Sequence, residues 1–143
     1  MVEMFANECG ICIDGEHVFS CETVRFKQSW ITKNFPTLAL LFGDVTKLGR
    51  KSAFCCISEM EVEVPYVDLL VAGFCCASAS WHNINRSRLL NCVGLGIDLT
   101  GETFDGILSY IARHKPKAIL LENVPGLVGR NLDEVRSLLT MAG

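Results

Sequence analysis

Four short apolar runs constrain the fold of this chain more than any other feature, because each is closed by glycine or an acid and separated from the next. His17-Val18-Phe19-Ser20-Cys21 is β-branched and aromatic and ends at Glu22; Leu38 to Phe42 ends at Gly43-Asp44. Val67 to Ala72 is broken by Gly73, and Ala118 to Leu121 runs directly into Glu122. Between them lie helical patterns. Thr23 is placed to cap a helix through about Asn34, with Val24, Ile31 and Phe35 at helical spacing and Pro36 as its stop. Thr100 is placed to cap a second, with Glu102 in its positive first turn and Phe104, Ile107, Leu108 and Ile111 on one face. Arg113, His114 and Lys115 complement its negative end before Pro116. Asn131 is placed to cap a third, with Asp133 and Glu134 in its first turn and Leu132, Val135 and Leu139 inward. The stretch from Phe74 to Asp98 has no clear period and reads mainly as a long loop. Apolar strands alternating with helices predict an α/β fold with a mostly parallel sheet covered on both faces.

Composition narrows the class. The chain has 143 residues, 50% of them apolar and 20% charged, which predicts one globular unit over residues 1–143 without repeat or linker. No apolar run reaches the roughly 18 residues of a membrane span, and the acidic stretch from Met1 to Glu8 does not read as a secretory signal. Thirteen Lys and Arg against sixteen Asp and Glu give a net charge of −3, so any contact with nucleic acid must be local. Eight cysteines without a secretory signal read as reduced thiols in the cytosol or nucleus. The residue types of a zinc site occur in Cys9, Cys12, His17 and Cys21, but a strand position for the last two argues against a ligand set, and no metal is expected.

In parallel α/β sheets, ligands bind at the carboxyl ends of the strands. That rule selects Glu22, Asp44, the segment Gly73 to Cys76, and Glu122 with Asn123. Glu22 is suited to accept from ribose hydroxyls, and Asp44 from an exocyclic adenine amine. Solvated strand-end acids are an equally ordinary use of such positions. Cys76, after a turn-permitting glycine, can be a nucleophile or a buried structural thiol. Glu122, at the end of an apolar strand, is expected to be desolvated and suited to proton donation, or else paired with a cation such as Arg130. A cysteine phosphatase is excluded, because His82 and Trp81 stand where the arginine six residues after Cys76 or Cys75 would be.

Taken in order, these segments resemble the catalytic domain of DNA (cytosine-5) methyltransferases from about His17 to Val128. His17 to Glu22 resembles the family's strand and ribose-binding acid, and Phe42-Gly43-Asp44-Val45-Thr46 its adenine-binding turn. Asp68 to Phe74 resembles the approach to its nucleophile loop, Gly101 with the following helix its cofactor helix, and Leu120 to Leu127 its Glu-Asn-Val element. The resemblance implies a Rossmann-like methyltransferase fold and methyl transfer from S-adenosylmethionine to C5 of a flipped cytosine in DNA. It implies that Cys76 adds to the ring, that Glu122 holds N3 and that Asn123 fixes the carboxylate and loop. Glu22, Asp44, Gly73, Phe74 and Gly101 would contact the cofactor. Ser78, Arg86 and Arg88 would close over the base and touch phosphate, the alternative for that segment being a solvated loop. A DNA partner implies an intracellular location: the nucleus in a eukaryote, otherwise the cytoplasm.

The match has departures. Cys75 stands where the family has proline, Ala77 where it has glutamine and Ala79 where it has an aromatic. Nothing in Met1 to Glu16 supplies the family's glycine-rich first turn, and its arginine-bearing strand and target-recognition region find no counterpart. The chain is therefore expected to be a truncated, incomplete catalytic domain that a second chain or a missing region would complete. The alternative is a non-catalytic remnant that binds at most a nucleotide-like ligand or a partner chain. All eight thiols are expected to react with a thiol-specific dye in denaturant without reductant, and a mass unchanged by prior reduction checks this.

Overall fold

The computed structural model describes residues 15–77, 80, 82, 84, 98–128 and 132–142. Its strands form two sheets. In the first, β1 (Phe19–Cys21) pairs in parallel with β2 (Leu40–Phe42), Phe19 opposite Leu40 and Cys21 opposite Phe42. Helix α1 (Arg25–Asn34) makes the crossover that a parallel pair requires. β2 continues antiparallel to β3 (Ser52–Cys55), which forms a hairpin with β4 (Met60–Glu63). In the second sheet, β5 (Leu69–Gly73) lies parallel to β6 (Ala118–Glu122), from Leu69 opposite Ala118 to Gly73 opposite Glu122. Helix α2 (Asp98–His114) lies on the chain between them, and α3 (Pro125–Val128) and α4 (Leu132–Ala142) follow β6.

The core gathers on α2. Phe104, Ile107, Tyr110 and Ile111, at helical spacing, are each almost wholly buried, and they cluster with Phe42 and Ala53 from the first sheet and Leu70 from the second. Burying a side chain of this size contributes about 1.5–3 kcal/mol. The Tyr110 hydroxyl donates to the Pro65 carbonyl at 2.8 Å, so its polar end is not stranded inside the apolar cluster. Two glycines allow the closest approach. A β-carbon on Gly106 would stand 2.9 Å from the Val45 carbonyl carbon, and one on Gly49 would stand 2.5 Å from Ser109 Cβ. The 3-10 turn Val45–Lys47, which follows β2, is thereby pressed against α2.

Several sequence expectations change. The first strand is shorter than His17 to Cys21, since only Phe19 to Cys21 meet partners on β2. Thr23 is not a helix cap: its hydroxyl donates to the Gly43 carbonyl at 2.7 Å, and Val24 takes the cap position in an extended conformation. No residue of α1 is fully buried, and Val24 and Phe35, placed inward by spacing, are exposed. Thr100 is not a cap either, because α2 begins at Asp98 and Thr100 is buried inside its first turn. The apolar strands extend to Gly73 and Glu122. The hairpin β3–β4 was not foreseen, although Met60-Glu61-Val62-Glu63-Val64 alternates strictly.

A single parallel sheet covered on both faces is also not what forms. One face of β5–β6 packs Leu70, Ala72 and Leu121 toward the core, while Leu69, Val71 and Leu120 on the other face are exposed. The described residues of the Phe74 to Asp98 stretch before α2 (74–77, 80, 82 and 84) carry no helix or strand, as expected of a loop. Asn131, Cys9 and Cys12 lie outside the described residues. No helix among the described residues is long and apolar enough to cross a membrane.

Helix propensity alone would make Gly106→Ala stabilising by about 1 kcal/mol. The contact with the Val45 backbone reverses the sign: this variant is expected to melt several degrees below the parent in a thermal unfolding curve, because main chain cannot yield as a side chain can.

Candidate active site

The parallel pair β5–β6 sets Gly73 directly opposite Glu122 at the carboxyl end of both strands. Glycine matters at that position, since a β-carbon there would come within 3.2 Å of Glu122 Oε2. The carboxylate therefore leans across the start of the loop carrying Cys76. Asn123 closes the same junction with both ends of its amide. Its Nδ2 donates to the Phe74 carbonyl at 3.0 Å, and its Oδ1 accepts from the Val124 amide at 2.9 Å. Phe74 is buried against Phe104 of α2, ring centroids 4.9 Å apart. The Cys75 amide donates to Thr103 Oγ1 at 3.1 Å, and the Ser80 amide to the Cys76 carbonyl at 2.9 Å. Cys76 itself is a half-buried free thiol. Glu122 is exposed rather than desolvated, which corrects the sequence expectation, and no cation among the described residues lies within ion-pair distance of it. Arg130, Ser78, Arg86 and Arg88 lie outside the described residues.

Glu22 and Asp44 stand at the corresponding ends of β1 and β2. Glu22 accepts from the Val24 amide at 2.8 Å through Oε1, while Lys27 Nζ stands 3.7 Å from Oε2. Asp44 Oδ1 accepts from the Thr46 amide at 2.9 Å and the Thr46 hydroxyl at 2.6 Å, with Lys47 Nζ 3.7 Å from Oδ2. Partial desolvation pushes the Asp44 carboxyl up, but these two hydrogen bonds and Lys47 outweigh it and hold the acid below its ordinary range. Cys21, between the two acids, behaves oppositely. Burial, then the charges of Asp44 and Glu22, push its thiol up to about 12, so it is a neutral core group and not a nucleophile.

Helix α2 joins the two halves of this rim. Thr103 bonds the loop carrying Cys76 at the Cys75 amide, and Gly106, one turn on, packs against Val45 and Thr46 beside Asp44. Three residues of helix rise only about 4.5 Å. Gly101 lies buried in the first turn of the same helix. Neither Thr103 nor Gly106 was singled out from sequence; an interior glycine in a strongly periodic helix is the one signal that pointed to a close approach.

A family model for C-5 cytosine-specific DNA methylase matches residues 2–141. The chain belongs to that family. Its fold is accordingly the family's Rossmann-like methyltransferase fold, seen here as the mixed strands and helices described above. The chain is similar to a DNA (cytosine-5-)-methyltransferase of Cryptococcus neoformans, 44% identical over 119 residues, covering 80% of this chain and 5% of that protein. It is also 32% identical over 135 residues to a type II methyltransferase of Dactylococcopsis salina, covering 91% of this chain and 32% of the relative. A type II methyltransferase of Haemophilus parainfluenzae is 32% identical over 146 residues, covering 98% of this chain and 35% of the relative. The chain thus spans about a third or less of the length of these curated family members.

Two outcomes check the rim. Thr103→Val keeps the shape but removes the acceptor, so the Cys75 amide should exchange its hydrogen faster while stability falls by about 1 kcal/mol. Thr46→Val should raise the Asp44 pKa in a carboxyl NMR titration. Because folding depresses that pKa, the stability Asp44 contributes is present above its unfolded value of about 3.9 and is lost as pH falls through the folded value. The variant should show a smaller acid-limb dependence, since the Thr46 amide and Lys47 still act on the carboxylate.

Proposed function

We propose that this chain forms the thiol-and-carboxylate rim at which a cytosine of DNA is methylated on C5, with S-adenosylmethionine as the donor. The observation that carries the reading is the Asn123 amide. It ties the carbonyl two residues before Cys76 to the residue beside Glu122, so thiol and carboxylate share one end of one strand pair.

C5 of cytosine is a weak nucleophile within an aromatic ring. Addition of the Cys76 thiolate to C6 forms a carbon–sulfur bond, breaks aromaticity and leaves C5 enamine-like. Glu122, opposite Gly73, would hold or protonate N3 and so draw off the charge that develops there. After methylation, loss of the C5 proton and expulsion of the Cys76 thiolate restore the ring. Approach from the ring face requires the base to leave the duplex. Ser78, Arg86 and Arg88 are the proposed phosphate and closing contacts. The donor set fits a nucleoside: Glu22 and Asp44 end two parallel neighbours, and each presents a second carboxylate oxygen not taken by a backbone amide. Glu22 would hold the ribose hydroxyls and Asp44 the adenine amine, with Gly73, Phe74 and Gly101 lining the rest. S-adenosylmethionine would supply an electrophilic methyl group. A DNA substrate places the protein in the nucleus of a eukaryote or the cytoplasm of a prokaryote.

A second reading, a non-catalytic family member that binds only a nucleotide-like ligand or a partner chain, is favoured by Cys75 and Ala77 beside the nucleophile and by the open face of β5–β6. Incubation with duplex DNA carrying 5-fluorocytosine, together with the donor, separates the two. A covalent adduct that disappears in Cys76→Ser supports methylation. Folded protein that binds the donor yet never forms an adduct supports the second reading.

A further inference from the structure

The hairpin β3–β4 is not used by the chemistry above, yet it borders the rim. β3 alternates: Ala53 and Cys55 point into the core, and Phe54 between them is 52% exposed. Among the described residues no aromatic ring packs against it. The β2–β3 pairing sets Phe42 opposite Cys55, so Phe54 comes beside Gly43, one residue before Asp44. Phe42, Gly43, Asp44, Lys47, Ala53 and Phe54 line one open groove of about 140 Å³. Its walls are largely apolar, and its polar groups are a carboxylate and the ammonium beside it. A groove of this size and lining matches one flat heteroaromatic ring with an amine at its edge and is too small for a whole nucleotide.

We infer that Phe54 is an adenine-binding residue: its ring forms one wall of the groove, the base stacks on it, and Asp44 accepts from the base's exocyclic amine. The inference rests on the nucleoside-binding reading above and assigns its base end to a residue of the β3–β4 hairpin. Half-exposed phenylalanine beside a carboxylate has little to gain from water and much from a π-face. Stacking tolerates any flat base, so selectivity comes from Asp44. A carboxylate welcomes the amine of adenine and repels the carbonyl oxygen at the same position of hypoxanthine.

Calorimetric titration of the full chain with S-adenosylhomocysteine, adenosine and inosine tests this. Phe54→Ala should weaken S-adenosylhomocysteine and adenosine by about the same factor, tenfold or more, because the lost contact is to the base alone. Phe54→Trp should retain binding, and Phe54→Leu, which keeps apolar bulk without a π-face, should not. Asp44→Asn should instead narrow the preference for adenosine over inosine. Melting temperatures should stay close to the parent, since the ring is already half in water. Equal affinities in the parent and in Phe54→Ala overturn the inference while leaving the nucleoside-binding reading intact. A parent that binds neither S-adenosylhomocysteine nor adenosine overturns both.

Discussion

The approach of Gly106 to the backbone at Val45 is the contact on which the rest of the arrangement depends. It seats the turn after β2 on α2 with no side chain between. One turn away on the same helix, Thr103 receives the amide of Cys75. A single helix thus registers the acid-bearing end of the first sheet against the thiol-bearing end of the second. The shared core, in which Phe42 and Ala53 meet Leu70 and Phe74, holds the two sheets on the same helix.

A division of labour among similar groups follows from this scaffold. Cys21 and Cys76 are both partly buried, yet their surroundings differ. Cys21 lies between two carboxylates and is kept neutral, whereas Cys76 sits in a loop whose main chain is held by Thr103, Asn123 and the Ser80 amide. Glu22 and Asp44 use one carboxylate oxygen to order their own turns and keep the other near a lysine. Glu122 is open to water and leans over a glycine. The function proposed above would use these contrasts, since methylating a base there would call for one reactive thiol and several acids with separate duties.

Much of this was legible in the residues. The runs ending at Asp44, Gly73 and Glu122 marked their strands, and the spacing of Phe104, Ile107 and Ile111 marked α2 and its buried face. What escaped was tertiary. Thr23 and Thr100 look like caps locally, but Gly43 captures one hydroxyl and the helix starts two residues before the other. The hairpin hid because three of the four β4 residues are exposed, so its alternation carried little apolar signal. Glu122 was expected to be desolvated from its apolar strand; that inference assumed cover on both faces, and one face is bare. Thr103 and Gly106 could not be paired with Cys75 and Val45 until the helix was placed across both sheets.

The bare side of β5–β6 has a practical meaning for anyone handling this polypeptide. Leu69, Val71 and Leu120 form a ladder of branched hydrocarbon without a lid, on strands whose composition evolved for shelter. Handled alone, such a ladder invites chaperones, hydrophobic resins and mild detergents. These three aliphatic groups on the back of the sheet thus join Phe26, Trp30 and Met60, also exposed, in giving the polypeptide apolar surface that handling must respect.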